Sequence, residues 1–233
     1  MRVGIDAHIL GKRKGGVETF LYNLIQNIAR LDHENVYFIY VGKHHTLRQV
    51  QLPPNFVLRV LPFSNPWIGR LLLLPVMCFF DKLDVLHVQR ATPLFGCPKI
   101  VLHVHDLQYR TVPELFPFWK RKFLDLVFRH SARRADRIIT VSRASMQEIL
   151  RQYAVGSEKV EVVPNAVDSQ SFQSENCGLT QSVRDRFGLE TPYVLYLGSI
   201  ERNKNIHFLI EAFSVFTARF PQYKLAVVGK YRN

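Results

Sequence analysis

Short apolar runs alternate with longer amphipathic segments along most of this chain. The run Val36–Val41 is apolar throughout, as expected for a parallel strand that is covered on both faces. Between Gly15 and Arg30, apolar residues recur at the spacing of one helix face. This alternation predicts an α/β fold with a doubly wound parallel sheet and right-handed crossovers. The predicted strands are Val3–Asp6, Val36–Val41, Val57–Leu61, Val85–Val88, Ile100–Val104, Arg137–Val141 and Val160–Val163, and the predicted helices are Gly15–Arg30, Phe118–Ala135 and Ser145–Tyr153.

The pattern is interrupted once and then starts again. Residues 169–190 are polar and weakly patterned, and we interpret them as the join between two domains. A strand at Tyr193–Leu197, a helix at Ile206–Phe220 and a strand at Lys224–Val228 are predicted after it. We therefore expect a complete Rossmann-like domain at 1–170, a linker at 171–190 and, at 191–233, the first βαβ unit of an incomplete second Rossmann-like domain.

Composition narrows the class of protein. With 47% apolar residues the chain is globular, and its formal charge of +12 suggests contacts with nucleic acid, anionic lipid or phosphorylated ligands. The three cysteines show no CxxC pairing, which favours a reducing cytosol over a disulfide framework or a zinc site. Because a strand is predicted from the second residue, we expect no signal peptide and a cytoplasmic protein.

The most apolar stretch, Leu71–Phe80, is too short for a bilayer core that needs about 20 residues. It predicts a buried helix. The alternative is an interfacial foot with Trp67 at the lipid headgroups and Arg70 nearby.

A glycine-containing turn joins the first predicted strand to the first predicted helix. Gly11, Gly15 and Gly16 would let the backbone approach a phosphate, and the free N–H groups of a helix start attract anions. The spacing matches neither a dinucleotide fingerprint nor a P-loop, so a plain tight turn explains it equally well. Glu18 either faces the cleft or complements the helix dipole.

Histidines follow or end two predicted strands. In open parallel sheets, ligands bind beyond the carboxyl ends of the strands, and His105 lies at such an end. Asp106 would either orient His105 or cap the following turn. His103 shares a strand face with His105, so one of the two is expected to be the deeper, structural residue. His87 is expected to close another strand in the same way.

Basic residues are dense between Lys120 and Arg151. A solvated helix face explains them, and the functional alternative is a patch for an anionic membrane or for a lipid-linked phosphate acceptor. Nucleic acid is disfavoured, because the run contains no recognised nucleic-acid motif.

The loop after the predicted strand Tyr193–Leu197 has the composition of an anion cradle. Gly198 follows the strand, and Arg202 and Lys204 precede the next helix. Lys204 would hold a phosphate as a point charge, and Arg202 would bind it bidentately.

Taken together, these segments resemble the family 4 glycosyltransferases, which have the GT-B fold of two Rossmann-like domains. The resemblance covers nearly the whole chain and is nearest to bacterial mannosyl- and related transferases of surface polysaccharide synthesis. It is strongest in His105–Asp106, Ala135–Ser142, Val163–Asp168 and Leu197–Asn205.

The resemblance implies a metal-independent, retaining transfer of a hexose, for instance mannose, from a nucleotide sugar to a saccharide or lipid-linked acceptor. It places the loop of Gly15 and Gly16 near the donor diphosphate, His105 beside the reacting sugar, and Lys204 on the departing diphosphate. No cofactor is implied, and peripheral contact with the inner face of an anionic membrane is compatible with it.

Two departures from the family pattern limit these expectations. Ser199 stands where many members have arginine, and Arg202 would have to substitute for it. The paired glutamates that hold the donor in the family would lie beyond Asn233, so we expect a truncated form with little or no activity. The alternative hypothesis is a non-catalytic basic module that binds an anionic membrane or a partner subunit.

Overall fold

The computed structural model describes residues 1–12, 15–43, 45, 47, 51–61, 69–96, 98–167, 177–189 and 192–231. The side chain of Arg202 and all of Trp67, both singled out from the sequence, lie outside the described residues. The chain divides into two compact units, Met1–Ala166 and Val167–Asn233. The expected domain limits at 170 and 190 stay predictions.

Seven parallel strands form one sheet in the described part of the first unit, in the order β3-β2-β1-β4-β5-β6-β7. The chain reverses its direction of travel across the sheet between β3 and β4, which is the arrangement of a doubly wound fold. The predicted α/β class is therefore confirmed. The strands are β1 Arg2–Asp6, β2 Val36–Val41, β3 Phe56–Val60, β4 Val85–Gln89, β5 Lys99–Val104, β6 Arg137–Thr140 and β7 Val160–Val162.

Helices connect most of these strands. The helix Arg143–Tyr153 begins where the Oγ of Ser142 accepts a hydrogen bond of 3.1 Å from the N–H of Ser145, and it ends at Ala154, whose φ of 50° is left-handed. All three predicted helices of this unit are confirmed with small shifts at their ends. The helices are α1 Gly16–Leu31, α2 Leu74–Phe80, α3 Gln108–Thr111, α4 Phe118–Arg134 and α5 Arg143–Tyr153.

The sheet has an apolar layer on each face. On one face, Leu21 and Ile25 of α1 pack against side chains of β1 and β2, including Ile5 and Ile39. On the other face, residues of α2, α4 and α5 pack on the central strands, and Phe128 lies in this layer. Because both faces are covered, β2 is buried along nearly its whole length, as its uninterrupted apolar sequence predicts.

The apolar stretch before β4 forms a π-helical turn, Gly69–Leu73, followed by α2. The expectation of a buried helix holds for one side only, since Leu74 and Cys78 are buried whereas Phe79 and Phe80 are exposed. Arg70 does not lie at a membrane-facing surface as the interfacial alternative required. Arg70 is buried, and its charge is compensated by the carboxylate of Asp6 at the end of β1. None of the described helices is both long enough and apolar enough to cross a bilayer.

In the second unit, a parallel pair of strands, β8 Tyr193–Leu197 and β9 Lys224–Val228, is joined by the helix α7 Ile206–Arg219. A further helix, α6 Cys177–Phe187, occupies part of the range that we interpreted as a linker, so that range is not simply a polar join. The predicted βαβ unit is confirmed.

Candidate active site

A row of polar side chains crosses β4 and β5 on the face that α1 covers. The ring of His103 stacks on that of His105 with 4.3 Å between centroids, and the ring of His87 lies 5.8 Å from that of His103. Phe20 of α1 meets His103 and His105 edge-on, at 4.6 and 5.0 Å. We call His87, Gln89, His103 and His105 the histidine row.

The pairing of the strands explains why these residues meet. In the parallel ladder, His87 is the partner of Val101 and Gln89 the partner of His103. Side chains two residues apart share one face of a strand, so the row runs along β4 and β5 towards their carboxyl ends. Because β4 extends to Gln89, His87 lies inside the strand and does not close it, contrary to our expectation.

Burial keeps these imidazoles uncharged. It lowers the pKa of His103 to about 3 and the pKa of His105 to about 4, with the positive charge of Arg90 acting in the same direction on His105. Burial also lowers the pKa of His87 to about 4, against the opposing effect of Asp6. At neutral pH each ring therefore carries one N–H donor and one lone pair.

Gln89 fixes the orientation of His105. The Oε1 atom of Gln89 lies 2.8 Å from Nε2 of His105, so Nε2–H donates and Nδ1 keeps its lone pair. Gln89 is nearly fully buried. Its Nε2 and the Nε2 of His103 have no hydrogen-bond partner within the described residues. His103 is buried whereas His105 is half-buried, so His103 is the deeper of the two strand-end histidines.

Asp106 takes the capping alternative. Its side chain is exposed, and Oδ1 accepts a hydrogen bond of 3.2 Å from the N–H of Gln108, which starts α3. Burial and the charge of Arg90, which lower the pKa of His105, outweigh the opposing effect of the Asp106 charge. A direct catalytic role for Asp106 stays a prediction.

A second polar cluster closes the carboxyl end of β1. Asp6 is buried, and its two carboxylate oxygens bind Nδ1 of His8 at 2.6 Å and Nε of Arg70 at 2.8 Å. Nη2 of Arg70 also lies 2.8 Å from Nε2 of His8. Together these partners outweigh burial and hold the pKa of Asp6 below its usual value.

The described part of the connection between β1 and α1 includes a glycine with a positive φ and a side-chain hydrogen bond. Gly15 has a φ of 75° and a ψ of −140°, a conformation that glycine adopts readily. Oε1 of Glu18 accepts a hydrogen bond of 2.6 Å from the N–H of Gly11, so Glu18 ties the turn to the first helical turn. Gly16 is exposed at the helix start, where N–H groups favour anions.

In the second unit, Gly198 directly follows β8 and donates its N–H to the carbonyl of Val228 at 3.0 Å. Gly229 passes so close that a Cβ there would lie 1.7 Å from the carbonyl oxygen of Gly198. Lys204 is exposed at the end of a 3₁₀ turn that begins at Arg202. This loop belongs to the second unit, and the histidine row belongs to the first.

Sequence reasoning missed Gln89, Phe20 and the cluster of Asp6, His8 and Arg70. Gln89 carried one weak signal, since it lies two residues after His87 at the end of an apolar strand. Nothing in the local pattern indicated that Arg70 reaches Asp6 across 64 positions. In the described part of the chain, no group of three or more His, Cys, Asp or Glu side chains is arranged to hold a metal ion.

Comparison with known proteins gives this geometry a context. The family model described as Glycosyltransferase Family 4 matches residues 14–171. Mannosylfructose-phosphate synthase of Agrobacterium fabrum is 29% identical over 93 residues, which is 40% of this chain and 20% of that protein. The serotype-specific mannosyltransferase WbdA of Escherichia coli is 28% identical over 135 residues, 53% of this chain and 16% of that protein.

The fold also matches solved structures. Anabaena Alr3699/HepE, solved in complex with UDP-glucose, superimposes with a TM-score of 0.69 at 17% identity, over 99% of this chain and 61% of that one. This similarity concerns the GT-B fold alone. The chain spans less than two thirds of the length of each of these proteins.

Proposed function

Because the chain belongs to glycosyltransferase family 4, we propose that it takes part in the retaining transfer of a hexose from a nucleotide sugar to a hydroxyl acceptor. The family match over residues 14–171 carries this proposal, since it includes the whole histidine row. The mannosyltransferases among its relatives support mannose as the sugar. As the acceptor we propose a saccharide or a lipid-linked molecule.

The chemistry proposed for His105 follows from its environment. It lies just beyond the carboxyl end of β5, where ligands bind in open parallel sheets. Its ring is neutral at pH 7, and its Nε2–H is already bound to Gln89, so the Nδ1 lone pair is the group left to accept a hydrogen bond from a sugar hydroxyl. A neutral acceptor held in a fixed orientation stabilises developing positive charge on the sugar without charging itself.

Charge on the leaving group has to be compensated as well. We propose that Lys204 and Arg202 do this for the diphosphate and that the N–H groups near Gly15 and Gly16 approach it, so that no metal ion is needed. Excess chelator should then leave turnover unchanged. A loss of turnover that added Mg²⁺ or Mn²⁺ restores would refute the metal-independent part of the proposal.

The test is a transfer assay with a panel of nucleotide sugars, GDP-mannose and UDP-glucose included, and simple saccharide acceptors. The anomeric configuration of the product is read by NMR. We expect retention, and a fall in kcat of at least about 100-fold in His105→Ala with little change in KM. The exposed His33 of the opposite end of the sheet provides the control, His33→Ala.

Equal kcat in His105→Ala and the parent would remove His105 from the mechanism. Because weak turnover is expected of this chain, absence of both transfer and donor binding by the parent chain across the panel would contradict the proposed activity. Donor binding is measured separately by calorimetry, where Lys204→Ala should weaken affinity for the nucleotide sugar. The control Arg219→Ala, at the far end of α7, should leave this affinity unchanged. Equal affinities of the Lys204→Ala and Arg219→Ala variants would refute the role of Lys204.

A further inference from the structure

The outer side of α4 combines exposed apolar and basic side chains. Trp119 is 80% exposed and Leu126 is 68% exposed, and Phe123 lies between them. Trp119, Phe123, Leu126, His130 and Arg133 follow one another at steps of four and three residues, so they share one side of the helix. We call these five residues the outer face of α4.

Packing on the inner side leaves this face outward. Phe128, Ser131 and Ala132 are buried against the sheet, and Leu124 packs on the same apolar layer. The inner side therefore holds the helix in place without any help from the outer face. Exposing several large apolar side chains on one helix side is costly unless another surface covers them.

The charge around this face is strongly positive. Lys120, Arg121, Lys122, Arg129 and Arg134 flank it, and the only acidic residue of α4, Asp125, is already paired with Arg110. The end of the face opens into a shallow depression lined by Leu126, Arg129, His130, Arg133 and Arg134. An anionic group on a partner would be attracted to this whole region.

We propose that the outer face of α4 docks the chain on the surface of an anionic phospholipid bilayer. The helix would lie parallel to the membrane, with Trp119, Phe123 and Leu126 among the headgroups and upper acyl chains. The flanking Lys and Arg side chains would bind lipid phosphates. This arrangement is that of an interfacial amphipathic helix, in which apolar burial and attraction to anionic lipid add together.

Two observations favour a bilayer over other polyanions. Nucleic acid would satisfy the cations but would leave an apolar helix side uncovered, apart from stacking on Trp119. A second copy of this chain would bring two positive faces together, which is unfavourable. The proposal does not depend on sugar transfer, because docking is measured without donor or acceptor.

The experiment measures partition of the chain onto vesicles of phosphatidylcholine with phosphatidylglycerol, by co-sedimentation. Vesicles of phosphatidylcholine alone are the reference. We expect strong partition onto the anionic vesicles and a steep loss at about 1 M salt, where screening shortens to about 3 Å. Lys122→Gln/Arg133→Gln should weaken partition about 25-fold, since each cation contributes roughly five-fold at such a surface.

A matched control removes the same charge elsewhere. Arg143→Gln/Arg151→Gln on α5 should have a much smaller effect than the pair on α4. Trp119→Ser/Leu126→Ser keeps the charge and should weaken partition at least about ten-fold. All these side chains are exposed, so circular dichroism should show that each variant folds like the parent.

The depth to which α4 enters the bilayer is measured from the fluorescence of Trp119. In a Trp67→Phe background Trp119 is the only tryptophan, and brominated lipids should quench its fluorescence when the vesicles are anionic. Any of three results would overturn the proposal: no partition at low salt, equal loss in the α4 and α5 charge variants, or no quenching of Trp119. The chain could instead bind an RNA oligonucleotide or associate with itself, without binding vesicles. If Trp119→Ser/Leu126→Ser abolished that binding, the outer face of α4 would be assigned to the other partner and the proposal would be overturned as well.

Discussion

Gln89 and His105 are joined by a hydrogen bond of 2.8 Å between Oε1 and Nε2, across two neighbouring strands of the sheet. Gln89 is buried at the end of β4, and His105 lies just past the end of β5. The amide therefore decides which ring nitrogen of His105 carries the proton. It leaves the opposite nitrogen, Nδ1, as the acceptor.

Replacing the amide by a carboxylate should change the titration of His105. In Gln89→Glu an acceptor of opposite charge would lie within about 3 Å of Nε2, and such a neighbour raises a histidine pKa by about 1–3 units. In Gln89→Leu the pKa should not rise. The measurement is an NMR titration of the His105 ring, and an identical pKa in Gln89→Glu and the parent would contradict the contact.

The buried imidazole of His103 should make stability depend on pH. Its pKa is about 3 in the folded chain and about 6.5 when unfolded, so the unfolded state binds more protons between these values. The free energy of unfolding should thus fall as pH drops from 7, by on the order of 2 kcal/mol at pH 5 from His103. His103→Phe keeps a ring against Phe20 and should show a flatter pH dependence.

His33→Gln is the control for this measurement, because His33 is exposed. Urea unfolding at pH 7, 6 and 5 measures how the free energy of unfolding of each variant changes with pH. Parallel curves for His103→Phe and the parent would show that His103 does not contribute.

Removal of the guanidinium of Arg70 should leave the buried carboxylate of Asp6 without its cationic partner. In Arg70→Met the carboxylate of Asp6 loses a partner at 2.8 Å, and breaking a buried pair costs about 3–5 kcal/mol. The pKa of Asp6 is held below its unfolded value, so the stabilisation is present above about pH 4 and is lost as pH falls further. The difference from the parent should shrink accordingly in acid.

The exposed pair of Arg151 and Glu148 offers a comparison on the surface. Arg151→Met should cost about 0.5 kcal/mol or less, because solvent screens such pairs. Equal losses of unfolding free energy in the two arginine variants at pH 7 would contradict the structural role of Arg70.

Two neighbouring glycines should respond differently to a methyl group. Gly15→Ala places a side chain on a backbone with a φ of 75°, which costs about 1–3 kcal/mol. At Gly16 a Cβ would meet no described atom within 4 Å, so Gly16→Ala should leave the free energy of unfolding nearly unchanged. Thermal unfolding compares the two variants, and a larger loss in Gly16→Ala would contradict the described turn.

Local patterns predicted much of this molecule. The bounds of β2, Val36–Val41, and of β8 and β9 agree with the expectation, because each strand is a short, largely apolar run between polar or turn-forming residues. Of the three, β2 is buried along nearly its whole length, whereas β8 and β9 are partly exposed. The apolar run Ile100–Val104 likewise predicted that His105 lies just beyond a strand end, and β5 ends at Val104. His87 was misplaced, because Gln89 is polar and so seemed to lie outside the strand that in fact includes it.

The sequence by itself determined the order of strands and helices, the position of His105 at a carboxyl end and the basic character of α4, since each is written in consecutive residues. Only the tertiary structure decided that Gln89 orients His105, that Arg70 is buried on Asp6 and that Trp119 and Leu126 face outward. These relationships depend on which strands pair and which helix side meets the sheet. Strand pairing and helix orientation depend on packing between residues far apart in the chain, so the local periodicity of the sequence does not predict them.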